Sequence, residues 1–195
     1  MEMKFGAGCI SVMFIALIEI WALTGGVVPA LGEPFPTYGT GPIHVRVYTD
    51  YFCPPCRGME PQVEPLLKDL LKRNVITLTL VDTPFYRYSA LYARYFLYAL
   101  NGNNNYQQAL RVRNVLNEAA ENRHFTTKER LEEIFKAKGI PWREFEPKSI
   151  LDRYNALIKE DHIDATPSCV IIRGGKKDKY IGAPDIVKAL KGLQP

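Results

Sequence analysis

The sequence predicts an α/β domain that runs β-α-β, then through a block of helices, then β-β-α. Three observations carry that prediction. Ile43 to Tyr48 and Val75 to Val81 are short β-rich runs about one helix apart. From Ser89 to Asp161 the apolar residues recur at helical spacing. Strand character then returns at Cys169 to Arg173 and Lys179 to Ile181, ahead of a last helical stretch.

Composition narrows the class. The chain has 195 residues, 47% hydrophobic and 24% charged, which suits one globular domain with a large insertion and excludes a disordered chain. The net charge is +4, with no basic block interleaved with aromatics, so a nucleic-acid partner is not expected. There are four cysteines, Cys9, Cys53, Cys56 and Cys169. Outside the N-terminal segment three remain, an odd number, which argues against a purely structural disulfide framework.

The N-terminus reads as an export signal. Lys4 precedes an uncharged apolar run from Phe5 to Ile18, and Val28-Pro29-Ala30 puts small residues at the positions a cleavage after Ala30 requires. Residues 1–30 are therefore a signal peptide or an N-terminal anchor. Residues 5–31 are long enough to span a bilayer, although Glu19 near their middle is costly there. Either way the remainder is expected in the periplasm or at the cell exterior. Cys9 has no apolar run before it and is not a lipoprotein cysteine. Residues 31–42, rich in Pro and Gly, read as an extended leader.

In the first strand Ile43, Val45 and Val47 alternate with His44 and Arg46, and Tyr48 continues the polar side. Thr49-Asp50-Tyr51-Phe52 leads into Cys53-Pro54-Pro55-Cys56, and a helix follows through Met59 to Leu71. Pro61 lacks the N–H for its helical bond and is expected to kink that helix. Val75 to Val81 reads as a buried second strand, closed by Thr83-Pro84. Helices are predicted over Ser89 to Leu100, Asn105 to Ala120, and after a capping box at Thr126-Thr127-Lys128-Glu129. Lys138-Gly139 and Pro141 stop the third, and a fourth spans Lys148 to Asp161. Gly174 to Asp178 is a hairpin turn, and Gly182-Ala183-Pro184 opens the final helix.

A strand ending in two cysteines two residues apart, at a helix N-terminus, is the arrangement of a dithiol redox device. Orphan backbone N–H groups and the positive end of the helix dipole favour thiolate there. Cys53 is the expected nucleophile. Cys56, one turn into the helix, is the resolving thiol, and exchange runs through a mixed disulfide. No cofactor is needed beyond that dithiol. A structural zinc would need two further ligands, and only Cys169 with His162, His44 or His124 could supply them. With no second CxxC, no metal is expected.

Pro54 and Pro55 cannot donate an N–H to the Cys53 sulfur, which points to a less stabilised thiolate and a less oxidising dithiol. Glu60, one turn after Cys56, and Asp50 are candidate proton acceptors. The alternatives are a surface glutamate and a carboxylate that satisfies loop amides. Arg57 either adds positive potential or is a solvated first-turn arginine. Cys169 reads as a buried strand cysteine, with a third redox thiol as the alternative. His162 reads as a surface or cap residue. Tyr86, Tyr88, Tyr92, Tyr95 and Tyr98 cannot all face the core, so some are expected to line a groove beside Cys53.

Four features together resemble the thioredoxin superfamily, and specifically its DsbA-like exported branch. They are Phe52-Cys53-Pro54-Pro55-Cys56 between strand and helix, Pro61 in that helix, Thr166-Pro167 ahead of the Cys169 strand, and Gly182 before the last helix. The resemblance implies a thioredoxin fold over residues 43–195, with a helical insertion (about 84–161) between the second strand and the cis-proline strand. It implies that Pro167 is cis and faces the cysteines, where the backbone of Thr166 could pair with a bound peptide. It also implies an exported thiol-disulfide oxidoreductase, active as a monomer on unfolded or partly folded exported proteins and served by a membrane redox partner.

Net disulfide formation is the first expectation. Reduction or isomerisation, for example in cytochrome maturation, is the alternative, and a metal-binding chaperone on the same fold is a third. Two departures from the family pattern bear on the direction. Val47 stands where thioredoxins carry a buried carboxylate, and the histidine found inside the most oxidising DsbA-like motifs is absent. The motif followed by Arg57 is similar to that of tryparedoxins, which act as reductants.

Overall fold

A computed structural model of the chain describes Met1, residues 34–122 and residues 126–193. Every element below belongs to one compact unit, residues 33–195. The expected signal segment with Cys9, and His124, lie outside the described residues.

The elements follow the predicted order with one addition. They are β1 (Thr37–Tyr38), β2 (Ile43–Thr49), α1 (Pro54–Lys72), β3 (Ile76–Asp82), α2 (Ser89–Leu100), α3 (Tyr106–Glu121), α4 (Lys128–Ala137), α5 (Lys148–Glu160), β4 (Ser168–Arg173), β5 (Lys176–Ile181) and α6 (Ala183–Lys191). The sheet order is β1-β3-β2-β4-β5. β2 and β3 are parallel, joined by α1 as the crossover helix, and the other pairs are antiparallel.

Alternation places the central strand between two layers. Ile43, Val45 and Val47 are buried on one side of β2. The other side carries Arg46 and Tyr48, which meet the end of α5: Arg46 bonds Asp161 at 3.0 Å and the Tyr48 hydroxyl donates to it at 2.5 Å. Tyr48, expected on a polar side, is fully buried, because that side lies under α5 rather than in water. α1 buries Cys56, Met59, Val63, Leu67 and Leu70, spaced three and four apart. Pro61 and Pro65 fall on its exposed side, where a helix tolerates lost backbone bonds because water is available.

Three local expectations shift. Residues 34–42 are not a free leader. Thr37 and Tyr38 pair antiparallel with Thr79 and Leu78, Leu80 N–H donates to Pro36 O at 3.0 Å, and Arg153 sits 3.6 Å over the Phe35 ring. Gly41 crosses the start of β3 so closely that a Cβ there would lie 2.3 Å from the Val75 carbonyl carbon. The hairpin turn is Gly174-Gly175 alone, both with positive φ (56° and 80°), and β5 starts at Lys176. That is the two-residue turn whose twist matches its strands. The α4 cap is Thr127, one residue later than the capping box implied, accepting from Arg130 N–H at 3.4 Å.

Candidate active site

The motif sits where β2 ends and α1 begins. Cys53 is the N-cap of α1, and Pro54 and Pro55 are its first two residues, a position that suits proline's fixed φ. Cys53 and Cys56 are free thiols, each 2% exposed. The Cys56 thiol donates to the Cys53 sulfur at 2.8 Å, and the Cys53 thiol lies 3.3 Å from the carbonyl oxygen of Thr166. The Thr166–Pro167 bond is cis, as the resemblance implied. β4 carries it to the site because Ser168 pairs with Tyr48 in the register that runs on to Thr49 and the motif.

A helix N-terminus normally offers four unpaired N–H groups. Here they are accounted for otherwise. Cys53 N–H donates to Asp50 O at 3.2 Å, Pro54 and Pro55 have none, and Cys56 N–H donates to Cys53 O at 3.1 Å. Arg57 N–H, the first regular helical donor, takes the same oxygen at 3.2 Å. The Cys53 sulfur thus has the helix dipole behind it, but the amides around it are already spoken for. Burial holds the Cys56 thiol well above the ordinary cysteine value, and its hydrogen bond to Cys53 adds to that.

The other candidates separate. Both Asp50 oxygens are engaged by the chain: Oδ1 accepts from Phe52 N–H and Ser89 Oγ–H, each at 2.8 Å, and Oδ2 from Phe85 N–H at 2.9 Å. Glu60 is not a surface glutamate. It pairs with Arg113, whose Nε donates to it at 3.0 Å. Arg57 donates to Tyr51 O at 2.8 Å. Cys169 is fully buried, opposite Val47, and burial pushes its thiol up to about 12. His162 is an exposed residue with φ 51° just past α5, the place of a helix-ending cap. Among the described residues no group of three or more His, Cys, Asp or Glu side chains is placed to hold a metal ion.

Sequence reading missed Arg113. Its side chain is 3% exposed, and besides Glu60 it bonds Asp82 at 3.1 Å and Thr49 Oγ1 at 2.7 Å. Tyr51 closes the group by donating to Asp82 at 3.2 Å. The signal was available. Arg113 lies three residues from both Leu110 and Leu116, on the buried stripe of α3, and a buried cation requires buried anions. Burial raises the Asp82 carboxyl to about 6 despite the opposing Arg113 charge. This cluster occupies the side of the sheet where Val47 leaves no carboxylate, but on the neighbouring strand.

Beside Cys53 lies an open groove of about 650 Å³ lined by Phe52, Pro54, Arg57, Tyr86, Arg87, Tyr88, Ala120 and Thr126. Phe52 anchors it, packing edge-on against Tyr92 at 4.7 Å and against Tyr88 at 6.0 Å. Of the five tyrosines, Tyr92, Tyr95 and Tyr98 are buried, whereas Tyr86 is 48% exposed next to Phe85 at 49%.

A family model described as thioredoxin matches residues 39–191. The chain belongs to the thioredoxin family. No curated protein matches it in sequence. Three solved structures show the same fold at low identity. A candidate protein-disulfide isomerase from Pseudomonas syringae aligns with TM-score 0.66 and 16% identity, over 82% of this chain and 97% of that one. A periplasmic thioredoxin-like protein from Salmonella enterica serovar Typhimurium aligns with TM-score 0.59 and 20% identity, over 83% and 90%. Wolbachia pipientis alpha-DsbA1 aligns with TM-score 0.62 and 15% identity, over 82% and 90%. The fold is therefore DsbA-like, with α2 to α5 as the helical insertion, and the close Cys53–Cys56 pair fits a CxxC motif. Among the described residues no helix is long and apolar enough to cross a membrane.

Proposed function

We propose that this protein exchanges disulfides with exported, unfolded or partly folded protein chains. The observation that carries the reading is the placement of Cys53. Its sulfur lies 3.3 Å from the Thr166 carbonyl and 2.8 Å from Cys56, beside a groove walled by Phe52, Tyr86 and Tyr88. A cysteine-containing segment would lie along Thr166 with neighbouring side chains in the groove. The Cys53 thiolate attacks a substrate disulfide, forming the mixed disulfide and releasing one substrate sulfur as thiolate. Cys56 then attacks the Cys53 sulfur and releases the second. The two protons of the dithiol end on the two substrate thiols, so the step balances without another acid. Run backwards, the oxidised pair passes its disulfide to a substrate dithiol.

Within that activity we favour isomerisation and reduction over net disulfide formation. The most oxidising dithiols stabilise their thiolate, and thereby their reduced form. In this chain two prolines and two internal hydrogen bonds take up the amides that would do so. Net disulfide formation is the second reading, favoured by the open aromatic groove on the insertion, which suits capture of unfolded chains.

The deciding measurement is the reduction potential against glutathione. We expect a value between about −180 mV and about −270 mV, the range from protein disulfide isomerase to thioredoxin, and a value near −120 mV would restore the oxidase reading. Cys56→Ser should trap mixed disulfides with unfolded chains and Cys53→Ser should trap none. Equal trapping by both variants would count against the role of Cys53. A membrane redox partner, the monomeric state, export itself and independence from metal are further parts of this proposal, and zinc bound at stoichiometry without dithiol exchange would replace it by a metal-binding role.

A further inference from the structure

Asp50 is 2% exposed and immediately precedes the loop that presents Cys53. Its carboxylate joins two segments far apart in sequence. On one side it holds Phe52 N–H. On the other it holds Phe85 N–H and the Ser89 hydroxyl, and Ser89 Oγ in turn accepts from Tyr86 N–H at 3.3 Å. The backbone tie Thr83 N–H to Thr49 O, at 2.8 Å, runs alongside. The second segment is the connection from β3 to α2. It carries Phe85 and Tyr86, both about half exposed, and Tyr86 and Tyr88 line the groove beside the motif. Aromatic rings held out in water gain by collapsing onto apolar neighbours, so keeping them standing requires a fixed backbone beneath them.

We infer that Asp50 is a positioning residue that sets the aromatic wall of the groove, Tyr86 and Tyr88, against Cys53, and thereby sets affinity for a protein substrate. It is not a proton acceptor for Cys56. Three donors occupy both carboxylate oxygens, and all three belong to the loops rather than to the dithiol. What reaches Cys56 from this residue is its backbone, an influence that ranks behind burial of the thiol and its hydrogen bond to Cys53. The geometry also says which substitution is informative. In Asp50→Asn one oxygen becomes an NH2 group. Whichever way the amide turns, a donor then faces a backbone donor, Phe85 N–H or Phe52 N–H, and one side of the link opens. Ser89→Ala leaves the carboxylate in place and cuts only the arm that leads to Tyr86.

This inference rests on the reading that the groove takes protein chains. The test uses the full chain in its dithiol form, kept reduced by dithiothreitol, with two disulfide substrates: scrambled ribonuclease, an unfolded chain that carries disulfides and offers side chains to the groove, and glutathione disulfide, which is too small to need it. Asp50→Asn should raise KM for the unfolded protein about tenfold more than it raises KM for glutathione disulfide, equivalent to about 1.4 kcal/mol of binding. Ser89→Ala should act in the same direction by about threefold. The third readout is release of glutathione from the Cys53 mixed disulfide, the step in which Cys56 gives up its proton. Its pH profile should keep its midpoint in both variants. If KM for the two substrates moves equally, or if glutathione release slows and its profile shifts in Asp50→Asn, the inference is overturned, in the latter case in favour of a proton acceptor. Should Asp50→Asn fail to fold, Ser89→Ala carries the same comparison. A wild-type protein that does not turn over scrambled ribonuclease defeats the proposed function, whereas a variant equal to an active wild type defeats only this inference.

Discussion

Replacing Arg113 by methionine should destabilise the protein more than any other surface-neutral change in the insertion. Methionine keeps the unbranched stem, so the loss reports the guanidinium rather than a cavity. That group makes four hydrogen bonds, two to Glu60 and one each to Asp82 and Thr49. It is 3% exposed, and its two carboxylate partners are 13% and 3% exposed. Removing the cation leaves the buried Asp82 and the part-buried Glu60 without compensation, which costs about 3–5 kcal/mol.

The pH dependence tests the mechanism. Burial already holds Asp82 at about 6, above its unfolded value of 3.8, with Arg113 the largest influence pulling it down. A group raised in this way favours the fold while it is protonated, and that contribution is withdrawn as pH rises through the folded value. Without Arg113 the folded value rises further, adding about 1.4 kcal/mol of deficit per unit at pH values above it. Urea unfolding of the reduced protein at pH 5 and pH 8 should therefore show a larger deficit at pH 8. A loss below about 1 kcal/mol at both pH values, or one that shrinks towards pH 8, would refute the ion-cluster reasoning.

Three further outcomes follow from the same structure. Asp82→Asn removes the titration itself, so its stability relative to wild type should rise by about 3 kcal/mol between pH 4 and pH 8, and a flat difference curve in urea titrations would rule this out. Tyr48→Phe deletes the 2.5 Å bond to Asp161 and should cost about 1.5–3 kcal/mol at pH 7. Burial pushes the Asp161 carboxyl up, but bonds from Lys177, Tyr48 and Arg46 outweigh it and hold it low, so the cost should fade below about pH 4 as the carboxyl protonates; a cost unchanged at pH 3 is the contrary result. Cys169, buried and pushed up to about 12, should resist iodoacetamide in the folded protein, read peptide by peptide in a mass spectrometer. Labelling at the rate of a free thiol would revive it as a redox residue.

The sequence by itself determined the order of the elements and the CxxC pair with its setting between strand and helix. Periodicity located the strands and helices because the sheet and the insertion helices each bury one face, and a single buried face leaves a period in the sequence. The CxxC spacing and the Thr166-Pro167 dipeptide located the chemistry because both are short-range features of backbone and helix end. Tertiary structure decided what depends on partners distant in sequence. Residues 34–42 became an edge strand because β3 offered an open edge. Tyr48 was buried because α5 covers its side of the sheet. Glu60 became a part-buried partner of Arg113, which reaches it from α3, 53 residues away. Asp50 was bound to loop amides because the β3–α2 connection comes back to meet it. In each case a polar or half-polar side chain had two acceptable fates, solvation or pairing, of nearly equal free energy in isolation. Only the assembled neighbours chose between them.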